Sequence, residues 1–107
     1  MDMYWLLLVL AGLFEAVWAS ALRLSEGFSK PIPSIITVIF MIISLGLLAY
    51  TTKYLPIGTA YVVWTGVGAV ATTIVGMFIF NEPTDFLRIM FICLIIAGVI
   101  GLHFLEK

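Results

Sequence analysis

Four apolar stretches divide the chain, at residues 4–22, 33–52, 57–80 and 86–105. A helix of ~20 apolar residues crosses the hydrocarbon core of a bilayer, so each stretch is long enough to span. The breaks between them are short and carry most of the charge. The first runs from Arg23 to Lys30 through Glu26, Gly27 and Ser29, and closes on Pro31 and Pro33, which suit a helix start. The second is Lys53-Tyr54-Leu55-Pro56. The third is Asn81-Glu82-Pro83-Thr84-Asp85, where Thr84 is the expected N-cap and Asp85 suits the first turn. The first stretch has no basic segment before it and spanning length, so it is expected to stay as the first helix. No linker is long enough to separate domains. Backbone groups in lipid must be satisfied internally, so the pattern predicts an all-α membrane protein: one domain over residues 1–107 with four transmembrane helices.

Composition sharpens this picture. Of 107 residues, 64% are hydrophobic and 10% charged. Soluble domains have about 45–50% apolar and about 25% charged residues, so that class is excluded. The basic count is too low for nucleic acid. One histidine, His103, has no partners for a metal site. Ser44 has no histidine or lysine base beside it in sequence, and no glycine-rich loop is built for phosphate. Neither enzyme activity nor a cofactor is expected. The lone Cys93 reads as a small buried hydrophobe.

The charges also bear on orientation. Four spans put both termini on one side, with Lys53 and Lys107; the other side holds Arg23, Lys30 and Arg88. Orientation follows an excess of Lys and Arg in the cytoplasmic loops, and here the excess is a single residue. The chain is therefore expected to insert both ways, which permits an antiparallel homodimer about an axis in the membrane plane.

The chemistry lies inside the spans. Glu15 is the one acid in the first stretch. A carboxylate at that depth costs roughly 2.5–3.5 kcal/mol on insertion scales. Desolvation favours the neutral form of an acid, so a lone intramembrane carboxyl is a candidate cation site and proton site at once. Trp18, three residues on, shares its face and offers an indole donor. Ser44, mid-way in the second stretch, is a further donor for a carboxylate on a neighbouring helix, or bonds back within its own helix. In the third stretch Tyr61 and Trp64 are three apart, and Thr65, Gly68 and Thr72 continue that face. Interfacial anchoring is the competing reading of the aromatics; it fits Tyr4, Trp5, Tyr50 and Tyr54 better than Trp18 and Trp64. Gly66 and Gly68 permit a kink, or else serve close packing. The fourth stretch reads as a packing or dimerisation helix.

Four short spans, a mid-span glutamate and the run Pro56-Ile57-Gly58-Thr59-Ala60-Tyr61-Val62-Val63-Trp64-Thr65-Gly66-Val67-Gly68-Ala69 resemble the small multidrug resistance transporters. Glu15-Ala16-Val17-Trp18-Ala19, Ala21-Leu22-Arg23 and Glu26-Gly27-Phe28 resemble the guanidinium exporter subtype; the quaternary ammonium exporters typically carry glycine at the position of Trp18. The resemblance implies an antiparallel, dual-topology homodimer in a bacterial inner membrane, with one site shared between chains. Glu15 would match its substrate and proton carboxylate. Trp18, Ser44 and Tyr61 would match the hydrogen-bonding partners, Trp64 the aromatic lining, and Gly66 with Gly68 a hinge in the third helix. Two positions depart from the pattern: His103 stands where a lysine is expected, and Phe91 where the multidrug subtype has a second glycine before Gly98.

Guanidinium is small, planar and permanently charged, and a carboxylate binds such a fork through paired charge-assisted hydrogen bonds. Two copies of Glu15 would titrate as a coupled pair, with protons and guanidinium competing for them. The expected function is proton-coupled export of guanidinium and small guanidinyl cations. The alternatives are export of quaternary ammonium or hydrophobic cations through an aromatic cage of Trp18, Tyr61 and Trp64, and a non-transporting membrane subunit whose Glu15 pairs with a basic residue of a partner.

Overall fold

The computed structural model describes residues 3–105. It contains four helices in chain order: α1 (Met3–Leu24), α2 (Pro31–Thr51), α3 (Ile57–Ile79) and α4 (Phe86–Leu105). All four are long and apolar enough to cross a membrane. Lys107, counted above on the terminal side, lies outside the described residues.

Helix ends follow local chemistry. Helix α2 starts two residues before its expected first position because Pro31 occupies its first turn, where a missing N–H costs nothing. The start of α4 corrects an expectation. Asp85, not Thr84, is the cap: its Oδ1 accepts the Arg88 N–H at 3.1 Å. A carboxylate placed there meets the positive end of the helix dipole. At the end of α3, the N–H groups of Phe80 and Glu82 both donate to the Gly76 carbonyl, and Asn81 turns the chain at φ 58°. Asparagine tolerates this left-handed conformation better than most side chains.

Helix α1 is the centre of the chain. It packs along both α2 and α3, while α4 rests mainly against α3. The core is Trp5, Leu8, Ala11, Leu48, Ala60, Val63 and Trp64. Small residues let the helices approach: a Cβ added to Gly12 would stand 2.8 Å from Val67 Cβ and 3.1 Å from the Trp64 carbonyl. In lipid, where apolar side chains gain little by leaving the solvent, such close backbone packing is a main source of helix association. Phe14 of α1 meets Phe40 of α2 edge to face, with centroids 5.5 Å apart.

Each end of the bundle has its own belt. At the terminal end, Tyr4 stacks on Tyr54 at 4.1 Å with Tyr50 beside them, and Lys53 Nζ lies 5.8 Å from the Tyr50 ring. Trp5 departs from the anchor role: it is buried in the core, edge-on to His103 of α4 at 4.6 Å. At the other end the Arg23 guanidinium sits 5.0 Å from the Phe80 ring centroid, and Arg88 pairs with Glu82 at 2.6 Å.

Helix α4 buries none of its residues within the chain. Cys93, expected to be buried, is exposed there. The reason is the peripheral place of α4, which leaves most of its apolar surface for lipid or another chain.

Candidate functional site

Glu15 lies on α1 where it faces α3. Its side chain is half-buried and occupies the place where a Cβ on Gly68 would be, so the carboxyl group lies directly on the α3 backbone. Among the described residues, Glu15 Oε1 is buried without a hydrogen-bond partner. So is the indole Nε1 of Trp18, one turn further along α1. A buried acceptor and a buried donor on one helix face are both left unsatisfied by the described residues. Unmatched buried polar groups are rare and costly in folded proteins, and each calls for a partner.

Ser44 does not hold Glu15 within the chain. Its hydroxyl donates to the carbonyl of Ala11 at 2.7 Å and accepts the Trp64 indole N–H at 3.0 Å. Both groups are buried. One chain of hydrogen bonds therefore joins α3 to α2 to α1, ending at the carbonyl one helical turn before Glu15. Ser44 sits level with Ala11 and not with Glu15, so it takes neither a carboxylate nor its own helix as partner in the chain. Trp64 packs in the core at 7% exposure with its N–H committed to Ser44. Tyr61, by contrast, is 54% exposed, its ring 5.8 Å from that of Trp64.

Gly66 and Gly68 of α3 serve different neighbours in a helix that is continuous from Ile57 to Ile79. Gly68 faces Glu15. Gly66 faces α4, where an added Cβ would stand 2.8 Å from Val99 Cγ2. Both positions are thus places of close packing in this conformation.

An apolar groove of about 240 Å³ lies between α3 and α4, lined by residues that include Leu13, Gly66, Val67, Ile96 and Val99. It has no polar lining and does not include Glu15, so it is separate from the site. No cluster of three or more histidine, cysteine or acidic side chains able to hold a metal occurs among the described residues. One contributor carries no signal in the sequence: the Ala11 carbonyl is a backbone group with no residue-type mark. Gly68 stands among the sequence candidates, but its spacing alone does not show that Glu15 lies on it.

The sequence is similar to known proteins over nearly its whole length. A sequence profile described as Small Multidrug Resistance protein matches residues 3–95. Proteins named Guanidinium exporter are similar over nearly the whole chain. The one from Yersinia pseudotuberculosis is 53% identical over 100 residues, covering 94% of this chain and 96% of its own. The one from Escherichia coli K12 is 50% identical over 100 residues, covering 94% of this chain and 95% of its own. The one from Proteus vulgaris is 48% identical, covering 94% and 96%.

Proposed function

The chain belongs to the small multidrug resistance family, and we propose that it exports guanidinium and small guanidinyl cations in exchange for protons. The observation that carries this reading is the Glu15 carboxyl, alone at mid-span with a buried, unmatched oxygen. The relatives named Guanidinium exporter, about half identical to this chain over nearly their full length, direct the choice of cation.

The mechanism follows from the donors and acceptors present. Guanidinium offers a rigid fork of N–H donors, which a carboxylate accepts in pairs. Glu15 is acceptor when ionised and carries a proton otherwise, so cation and proton exclude each other at the same oxygens. Trp18, one turn along the same helix with its indole N–H unpartnered, is a donor open to the cation site. The relay through Ser44 and Trp64 holds the backbone turn from which Glu15 projects. Tyr61, exposed on α3, lines the approach. Opening to one side at a time then couples inward proton flow to outward cation flow.

A single chain provides one carboxyl group and leaves α4 without buried residues. A second copy in the opposite orientation adds the second Glu15 and covers apolar surface. The nearly equal Lys and Arg counts on the two sides permit that arrangement. Gly66 and Gly68, although in continuous helix here, are where α3 bends if the exchange between open states needs it. The setting is a bacterial inner membrane, crossed several times.

Proteoliposomes with an imposed pH gradient test the reading. Labelled guanidinium is expected to accumulate in the more acidic compartment and to leave when the gradient is collapsed. Accumulation that ignores the gradient would remove proton coupling; none at all would remove guanidinium as the cargo.

A further inference from the structure

We propose that Gly68 is a positioning residue for Glu15, and that its missing side chain is the seat fixing where the carboxyl group lies. The inference rests on the transport reading only for its kinetic consequences. Its structural basis is independent. A methyl group at position 68 would coincide with the Glu15 carboxyl, overlapping Oε1, and would lie 2.6 Å from Cδ. The same methyl would be 3.0 Å from Glu15 Cβ, a contact that a shift of a few tenths of an ångström relieves.

The helices have little room to part and accommodate it. One residue before Gly68, Val67 is in close contact with Gly12, and a little before that Trp64 is tied through Ser44 to α1. With α1 and α3 held on both counts, the flexible Glu15 side chain is what yields. Its carboxyl group swings off α3, while the bundle stays as it is. Gly66 is the internal contrast. It lies on the same helix two residues away, yet it faces Val99 of α4 and has no contact with Glu15. If the glycines matter only as a source of helix flexibility, alanine at either position has the same consequence. If Gly68 is a seat, the consequences divide.

Two measurements decide this. The first needs no substrate: a double-mutant cycle on unfolding of the purified protein in detergent. Alanine favours helix over glycine, so Gly68→Ala gains from propensity and loses from the displaced carboxyl. Its midpoint shift is expected to be more stabilising in a Glu15→Ala background than in the native chain, whereas Gly66→Ala shifts both backgrounds equally. Equal shifts for Gly68→Ala in both backgrounds overturn the seat. The second is transport by Gly68→Ala in proteoliposomes. KM for guanidinium is expected to rise about tenfold or more with kcat little changed, and Glu15→Asp, one methylene shorter, to recover part of the loss. A fall in kcat alone, unrelieved by Glu15→Asp, overturns the seat in favour of a flexibility role. Absence of guanidinium transport in the native chain removes the proposed function and leaves the unfolding cycle to decide the seat.

Discussion

Replacing Ser44 with alanine removes two hydrogen bonds at once and strands a buried donor. The Trp64 indole N–H loses its acceptor at 3.0 Å, and the Ala11 carbonyl loses a donor at 2.7 Å. The carbonyl keeps its helical partner, so the larger cost falls on the indole. A stranded buried donor costs ~1–3 kcal/mol in water-soluble proteins. Between membrane helices a side-chain hydrogen bond averages only ~0.6 kcal/mol and reaches ~1.7, because the unfolded chain in a micelle also finds partners. The expected loss for Ser44→Ala is therefore about 1–2 kcal/mol. Reversible unfolding in mixed micelles, followed by far-ultraviolet circular dichroism, measures it. Trp64→Phe keeps most of the ring packing and removes the N–H. In the cycle formed by the two substitutions, the second is expected to cost less once the first is made, by ~0.6 kcal/mol or more. Additivity within ~0.3 kcal/mol would refute the relay as an energetic link between the three helices.

Other consequences follow from the same packing. Gly12→Ala sets a methyl group 2.8 Å from Val67 Cβ and close to backbone, while Gly46→Ala meets open space; the first is expected to lose roughly 1–3 kcal/mol in the same unfolding assay and the second nothing. Glu82→Gln and Arg88→Gln each break a partly exposed pair, so each should cost below ~1 kcal/mol, and the charge-swapped double variant should regain most of it. Asp85→Ala removes the cap of α4 and is expected to cost about 1 kcal/mol, whereas Thr84→Ala leaves the midpoint unchanged.

Much of the architecture is legible in the residues because lipid leaves the backbone few options. Four apolar stretches with charged, proline-marked breaks become four helices, and their ends differ from the sequence reading by a residue or two. The cap of α4 was misplaced by one residue because threonine and aspartate both suit that role, and only the turn geometry chooses between them. Glu15 stands out by its cost alone. What sequence could not supply is depth register between helices. Ser44 and Trp64 are polar residues in spans, but whether they meet a carboxylate or a backbone carbonyl depends on which turn of α1 lies beside them. Here that turn is Ala11. The same holds for Gly66 and Gly68, two residues apart and facing different helices. Trp5, near the end of its span, has the position of an interfacial anchor, yet it joins the core cluster and meets His103 of α4.

In the proposed mechanism Glu15 carries both the cation and the proton. Purified protein on a solid-supported membrane tests it most directly, with current recorded on perfusion with guanidinium and then tetrapropylammonium, for the native chain and for Glu15→Gln. A guanidinium current is expected in the native chain, little or none with the bulky cation, and no current in the variant while its fold persists. A guanidinium current that survives Glu15→Gln, or a native chain that answers only to tetrapropylammonium, would contradict it.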